Sequence, residues 1–147
     1  MGPEEHLEYN DQFVAVLETV WGEGFLSPGG PTEVAMVLEG TDISGKQVLD
    51  IGCGTGGADI LLINKYQAAR VIGIDVEEPV LEQSRQRASL ENLSERIAYR
   101  LVEPGPLPFA DESFDVVFSK DAMIHIPDKA SLFKDVFRVL TTDGIFM

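Results

Sequence analysis

The spacing of apolar and polar positions divides the chain into two parts. "EYNDQFVAVLETVW" (Glu8–Trp21) sets Phe13, Val16, Leu17 and Val20 at helical intervals. It predicts an amphipathic helix with those four residues on one face. "GEGFLSPGG" (Gly22–Gly30) predicts a loop. "TEVAMVLEG" predicts a short helix capped by Thr32, with Glu33 in its first turn and Gly40 just past its end.

From Lys46 the rhythm changes. "KQVLDI" predicts a short buried strand, "GCGTGG" a turn and "ADILLINKYQ" a helix. "ARVIGID" predicts a second strand. "EEPVLEQSRQRASLEN" predicts a helix opened by two acids, which suit its positive N-terminus. "RIAYRLVE" reads as a third strand, "PGPLPFADES" as a stiff loop with three prolines, and "FDVVFSKD" as a fourth strand. "DKASLFKDVFRVL" reads as a helix with Phe133, Val136, Phe137 and Leu140 on one side. "TTDG" then turns into "IFM", the opening of a fifth strand.

Strands alternating with helices predict the α/β class: a Rossmann-like parallel sheet with helices on both faces. Residues 1–45 form an N-terminal helical cap and residues 46–147 the core of a single domain. A sheet stopping at the start of its fifth strand has an open edge. The expectation is a domain that lacks its usual C-terminal part, or a homo-oligomer that pairs this edge.

Composition narrows the function. A chain of 147 residues suffices for one domain with its own core. No stretch approaches the ~20 apolar residues of a membrane span. "MGPEEHLEYNDQ" lacks the basic start and apolar run of a signal peptide, so a cytoplasmic location is expected. One cysteine and two histidines leave no internal disulfide and predict no metal centre. The net charge of -14, with its 11 basic residues scattered, argues against a nucleic-acid partner.

The chemistry concentrates in "VLDIGCGTGG" (Val48–Gly57). Gly52, Gly54 and Gly57 fit G-x-G-x-x-G between a strand and a helix, and Asp75 ends the next strand. Glycines let the chain turn and let a ligand reach backbone N–H groups at the helix start. An acid ending the second strand can accept both hydroxyls of a ribose. The expected ligand therefore carries an adenosine-type ribose and a negative group. NAD and S-adenosylmethionine both answer that description. Three details favour the second. Asp50, two residues before Gly52, would repel a pyrophosphate and welcome an ammonium. Gly56 completes D-x-G-x-G-x-G. Glu103, ending the third strand, can accept from an adenine amine.

With these residues the sequence resembles the class I S-adenosylmethionine-dependent methyltransferases, from about Gln47 onward. The resemblance rests on "VLDIGCGTGG", "VIGIDVEEPVLEQS", "LPFADESFDVVFSKDAMIHI" and "VFRVLTTDGIFM". It implies S-adenosylmethionine as cofactor and S-adenosylhomocysteine as product. It implies Gly52 and Gly54 against the methionine part, with Asp50 and Cys53 in the same loop and Ser119 after the fourth strand. It further implies Asp75 on the ribose with Val76 beside it, and Val102 and Glu103 toward adenine. One departure stands out: Pro104 follows Glu103 and has no N–H to give adenine. That contact then shifts to the Val102 or Glu103 backbone, or weakens.

Methyl transfer to an amine needs positioning and a proton acceptor. His125 in "SKDAMIHIPD" lies just after the fourth strand, on the edge where such sheets bind ligands. "EYNDQFVAVLETVWGEGFLSPGG" followed by "SKDAMIH" is similar to the phosphoethanolamine N-methyltransferases. That likeness implies Tyr9 and His125 as a catalytic pair and Asp121 facing the substrate. It places Ser27, Gly29 and Gly30 in a loop closing over the cofactor. Glu8 stands where that family often has Gln, and Lys120 is the only nearby cation for a phosphate. The expected acceptor is a small-molecule amine, with phosphoethanolamine as one case. The rival readings are a cofactor-binding fragment or scaffold without catalysis, and a nicotinamide-dependent oxidoreductase.

Overall fold

A computed structural model describes residues 9–147. The N-terminal part holds α1 (Asp11–Trp21) and α2 (Gly30–Val37). The remainder runs β1 (Gln47–Ile51), α3 (Gly57–Asn64), β2 (Arg70–Asp75), α4 (Glu78–Leu90), β3 (Ile97–Leu101), β4 (Phe114–Phe118), a single 3-10 turn (Met123–His125), α5 (Lys129–Val139) and β5 (Leu140–Phe146). The strands form one parallel sheet in the order β3-β2-β1-β4-β5.

Both faces of the central strands are covered, which is why β1, β2 and β4 read as continuous apolar runs. Val48, Val71, Ile97 and Val116 point to the side packed by Val34, Leu62, Ile63 and Ala88 of α2, α3 and α4. Their neighbours Leu49, Ile74 and Val117 point to the other side, against Leu132, Val136 and Val139 of α5. Successive strands run outward from β1 toward β3 on one side and toward β5 on the other. The order therefore reverses between β1 and β4, and the crevice at their carboxyl ends is the expected ligand position.

The expected fold class is the observed one, with local corrections. The face assigned to α1 is wrong: Phe13, Val16 and Val20 are exposed, and Val14 is the buried contact. Glu8, the expected start of that helix, lies outside the described residues. In α5, Phe133 and Phe137 are exposed, and Leu132, Val136 and Val139 form the buried stripe. The α2 helix begins at Gly30-Pro31 with Gly29 as its left-handed cap, two residues before Thr32. The fifth strand starts at Leu140. "TTDG" is a bulge within it, because Phe114 pairs with Leu140 and Val116 next pairs with Ile145.

The α1 assignment can be checked by urea unfolding. Val14→Ala should lower stability by about 2 kcal/mol, as for loss of buried methyl groups. Val16→Ala should stay within about 0.5 kcal/mol of the parent.

Candidate cofactor site

The loop between β1 and α3 is held by its own N–H groups. Those of Gly52 and Cys53 both donate to the Ile74 carbonyl, at 2.9 and 3.0 Å. Gly54 donates to Asp75 Oδ2 at 3.0 Å, Gly56 to the Cys53 carbonyl and Gly57 to the Gly24 carbonyl. The sequence reading expected these donors to face a ligand; instead the fold uses them. Glycine is required here by conformation and by crowding. Gly52 has φ +75°, and a Cβ there would lie 2.2 Å from the Ala122 Cβ. At Gly56, with φ +85°, a Cβ would meet the Tyr99 hydroxyl at 2.5 Å.

The N-terminal part closes directly onto this loop. Glu18 Oε1 accepts from Gly24 N–H at 3.0 Å, from the Thr55 hydroxyl at 2.9 Å and from Arg87 Nη2 at 2.8 Å. One carboxylate oxygen thereby joins α1, the loop after it, the glycine loop and α4. Leu26 lies over Gly54, and Gly24 packs against Gly57 backbone to backbone. Ser84 of α4 completes the enclosure by donating to the Gly54 carbonyl at 2.6 Å.

Carboxyl groups dominate beneath the loop. Asp50 and Asp59 are both fully buried. Burial first, then the charge of Asp59, pushes the Asp50 carboxyl well up. Asp59, in the first turn of α3, is raised to about 6 by burial. The Cys53 thiol is likewise pushed up by burial and by the Asp59, Asp50 and Asp75 charges, so it is a small packed residue and not a thiolate. Asp75 ends β2, where its Oδ1 accepts from Val76 and Glu77 N–H at 2.8 and 3.2 Å. Beside it Val76 is 54% exposed, an apolar surface at the mouth of the crevice.

Across β1, the segment after β4 forms the other wall. Ser119 donates through its hydroxyl to the Ile51 carbonyl at 2.8 Å. Lys120 Nζ, on a nearly buried side chain, donates to Ser27 Oγ at 2.7 Å, the Pro28 carbonyl at 2.9 Å and Asp121 Oδ2 at 3.0 Å. Glu33 lies 3.5 Å from the same amine, and its side chain occupies the space a Cβ on Gly29 would need. Lys120 is therefore the latch between the Ser27–Gly29 loop and this wall. Asp121 adopts a left-handed φ of +61°. Burial works against its charge, but hydrogen bonds from Lys120 and Ser27 outweigh it and hold the carboxyl below its usual range.

The two predicted catalytic residues flank β1 on opposite sides. Tyr9 stacks on Phe13 with ring centroids 5.8 Å apart, and its N–H donates to Glu77 at 3.4 Å. His125 closes the 3-10 turn after β4, exposed. At the end of β3, the Val102 N–H is already given to the Asp75 carbonyl at 3.0 Å, so Val102 cannot supply the backbone donor suggested above. A concavity of about 320 Å³ takes in Val102, Glu103 and Pro104 but none of the glycine loop.

Glu18, Asp59 and the latching role of Lys120 escape sequence reasoning. Asp59 alone carried a signal, as the one charged residue in the apolar run Gly57–Ile63. Glu18 reads as an ordinary surface charge and Lys120 as a cation for a phosphate, because Arg87 and Ser27, which reveal their roles, are far away in sequence.

Comparison with known proteins follows the same lines. The model of the methyltransferase domain family matches residues 42–147. Phosphoethanolamine N-methyltransferase 1 of Arabidopsis thaliana is 32% identical over 141 residues, 95% of this chain and 28% of that protein. Phosphoethanolamine N-methyltransferase 2 of Haemonchus contortus, solved with S-adenosyl-L-methionine, superposes with a TM-score of 0.89 at 30% identity, covering 96% of this chain and 33% of the other. The same enzyme solved with phosphomonomethylethanolamine and S-adenosylhomocysteine gives a TM-score of 0.88 at 30% identity, covering 96% of this chain and 33% of that one. The chain spans under a third of the length of the plant phosphoethanolamine N-methyltransferases it matches.

The Glu18 junction generates a stability prediction. Glu18→Ala leaves three donors without their acceptor and should cost about 3 kcal/mol in equilibrium unfolding. Glu18→Gln keeps an acceptor oxygen and should cost about 1 kcal/mol.

Proposed function

The chain belongs to the methyltransferase domain family, and on that premise we propose that it binds S-adenosylmethionine at the glycine loop and methylates a small-molecule amine of the phosphoethanolamine kind. The observation that carries this reading is the commitment of the loop's N–H groups. A pyrophosphate needs free donors at the start of the following helix. Here the donors of Gly52, Cys53, Gly54, Gly56 and Gly57 are taken by the protein, and the groups beneath them are carboxyls. Such a site repels a pyrophosphate and suits a ligand that brings an ammonium to the carboxyls beneath the loop. This favours S-adenosylmethionine, which carries an ammonium beside its carboxylate, over NAD.

S-adenosylmethionine supplies a methyl group on a positively charged sulfur. The protein's task is to hold the two reactants in line and keep water out. Asp50 faces the ammonium of the methionine part and Asp75 the ribose hydroxyls. Val76 and Glu103 line the adenine end. Asp121, kept ionised, faces the acceptor amine, and His125 takes the proton that the amine gives up. Tyr9, on the cap, closes over the acceptor from the other side of β1. The Ser27–Gly29 loop, latched by Lys120, shields the centre from solvent.

The same reading makes the partner a small molecule, with no nucleic-acid role for a chain of net charge -14. A cytoplasmic location is part of it. Among the described residues no helix is long and apolar enough to cross a membrane. The β5 edge of the sheet is the surface through which a second copy would pair.

Calorimetric titration tests the proposal. S-adenosylhomocysteine should bind saturably and NAD should not. Asp75→Asn should weaken S-adenosylhomocysteine binding by about tenfold, equivalent to ~1.4 kcal/mol. His125→Ala should leave that affinity within about twofold while lowering kcat by roughly 10²-fold or more. A folded chain that binds neither ligand would overturn the reading.

A further inference from the structure

Asp59 is a buried group that the proposed chemistry does not use. Its side chain is fully buried, and neither carboxyl oxygen has a hydrogen-bond partner among the described groups. It faces Asp50, itself 2% exposed at the end of β1. Of the surrounding ionisable groups only the Tyr99 hydroxyl is a donor turned toward it. Cys53 in the loop gives its thiol to the Gly54 carbonyl. Lys120, the one cation acting on Asp50, is given to Ser27, Pro28 and Asp121. Asp75 at the end of β2 is an acid. The Tyr99 hydroxyl on β3 lies toward Asp59 but makes no hydrogen bond of normal geometry. Two acceptors facing each other in dry surroundings cannot both be ionised without severe repulsion. A proton between them removes that repulsion and gives each an interaction.

We infer that Asp59 is a positioning residue for the cofactor site: it shares one proton with Asp50, so that the buried pair presents a single negative charge to a ligand amino group. This rests on the cofactor reading given above. Asp59 sits in the first turn of α3, and the positive end of the helix favours one negative charge there. Two charges there would be too costly, and none would leave a cationic ligand unattracted. The charge also depends on pH. Burial raises both carboxyls, with Asp59 at about 6. The pair therefore keeps its charge above that value and takes a second proton as the pH falls through it. Affinity for a ligand amino group should fall with it.

The experiment is a pH titration of ¹³C-labelled aspartate carboxyls in the 147-residue chain, with and without S-adenosylhomocysteine. In the free wild type, a buried carboxyl should titrate near pH 6, and that transition should vanish in Asp59→Asn, whose amide donates to Asp50 in place of the proton. Saturating ligand should move the wild-type midpoint down by about one pH unit, matching a tenfold preference for the charged pair. Between pH 7.5 and 5 the wild-type affinity should drop about fivefold and that of Asp59→Asn less than about twofold. Both carboxyls titrating independently near pH 4, or a midpoint that ligand does not move, would overturn the inference. The wild-type titration decides this even if the variant does not fold. Backbone signals of Gly52 and Gly54 separate the two claims. If they respond to ligand without a shared proton, only the inference fails. If they never respond, the cofactor reading itself fails and the positioning role falls with it.

Discussion

One carboxylate oxygen, Oε1 of Glu18, accepts hydrogen bonds from three segments that are otherwise separate in the chain. α2 packs on the sheet through Val34, but α1 has little claim on it without this oxygen, since it buries only Val14 fully. With it, the loop after α1 is drawn against the glycine loop closely enough for Gly24 and Gly57 to touch through their backbones. That contact in turn takes the first N–H of α3, through the bond from Gly57 to the Gly24 carbonyl. The junction therefore shapes more than the cap. It helps decide which backbone groups of the glycine loop remain for a ligand.

The consequence is an inversion of polarity relative to what the glycine spacing suggests. In a dinucleotide fold the glycines expose donors to an anion. Here they let the loop turn inward, satisfy its own donors and come close to Ala122, Leu26 and Tyr99. What is left at the carboxyl end of β1 is acidic. The same spacing thus serves opposite ligand charges, and the distinction lies in where the N–H groups go.

The central strands were legible because both faces of the sheet are buried there, so β1, β2 and β4 are apolar runs whose identity does not depend on their neighbours. The crevice was legible for the same reason: Gly52, Asp75 and Asp121 follow strands directly and cannot be far from the strand ends. Helix faces were less so. The spacing of Phe13, Val16 and Val20 is helical, yet the fold covers Val14 instead, because only tertiary contacts choose which stripe is buried. Thr32 lost the cap position to Gly29, whose left-handed conformation turns the chain into α2 ahead of it. Glu18 could not be recognised, and Lys120 was read only as a cation for a phosphate, since Thr55 and Arg87 lie 37 and 69 residues from the first and Ser27 and Pro28 lie 93 and 92 from the second.

The charges beside the proposed acceptor position also constrain how a substrate would lie. Asp121 and Glu33 both approach the crevice wall, and Lys120 stands between them. Its amine already serves the Ser27 hydroxyl, the Pro28 carbonyl and Asp121, and its side chain is nearly buried. It balances the local acids and has little left for an incoming anion. A substrate carrying an amine at one end and a phosphate at the other therefore meets an asymmetric field. The amine is drawn toward Asp121 and His125, and the phosphate is pushed outward, away from the carboxyls. If the chain takes such an acceptor, the wall after β4 would set its orientation, and the cation holding its far end would belong elsewhere than on this wall.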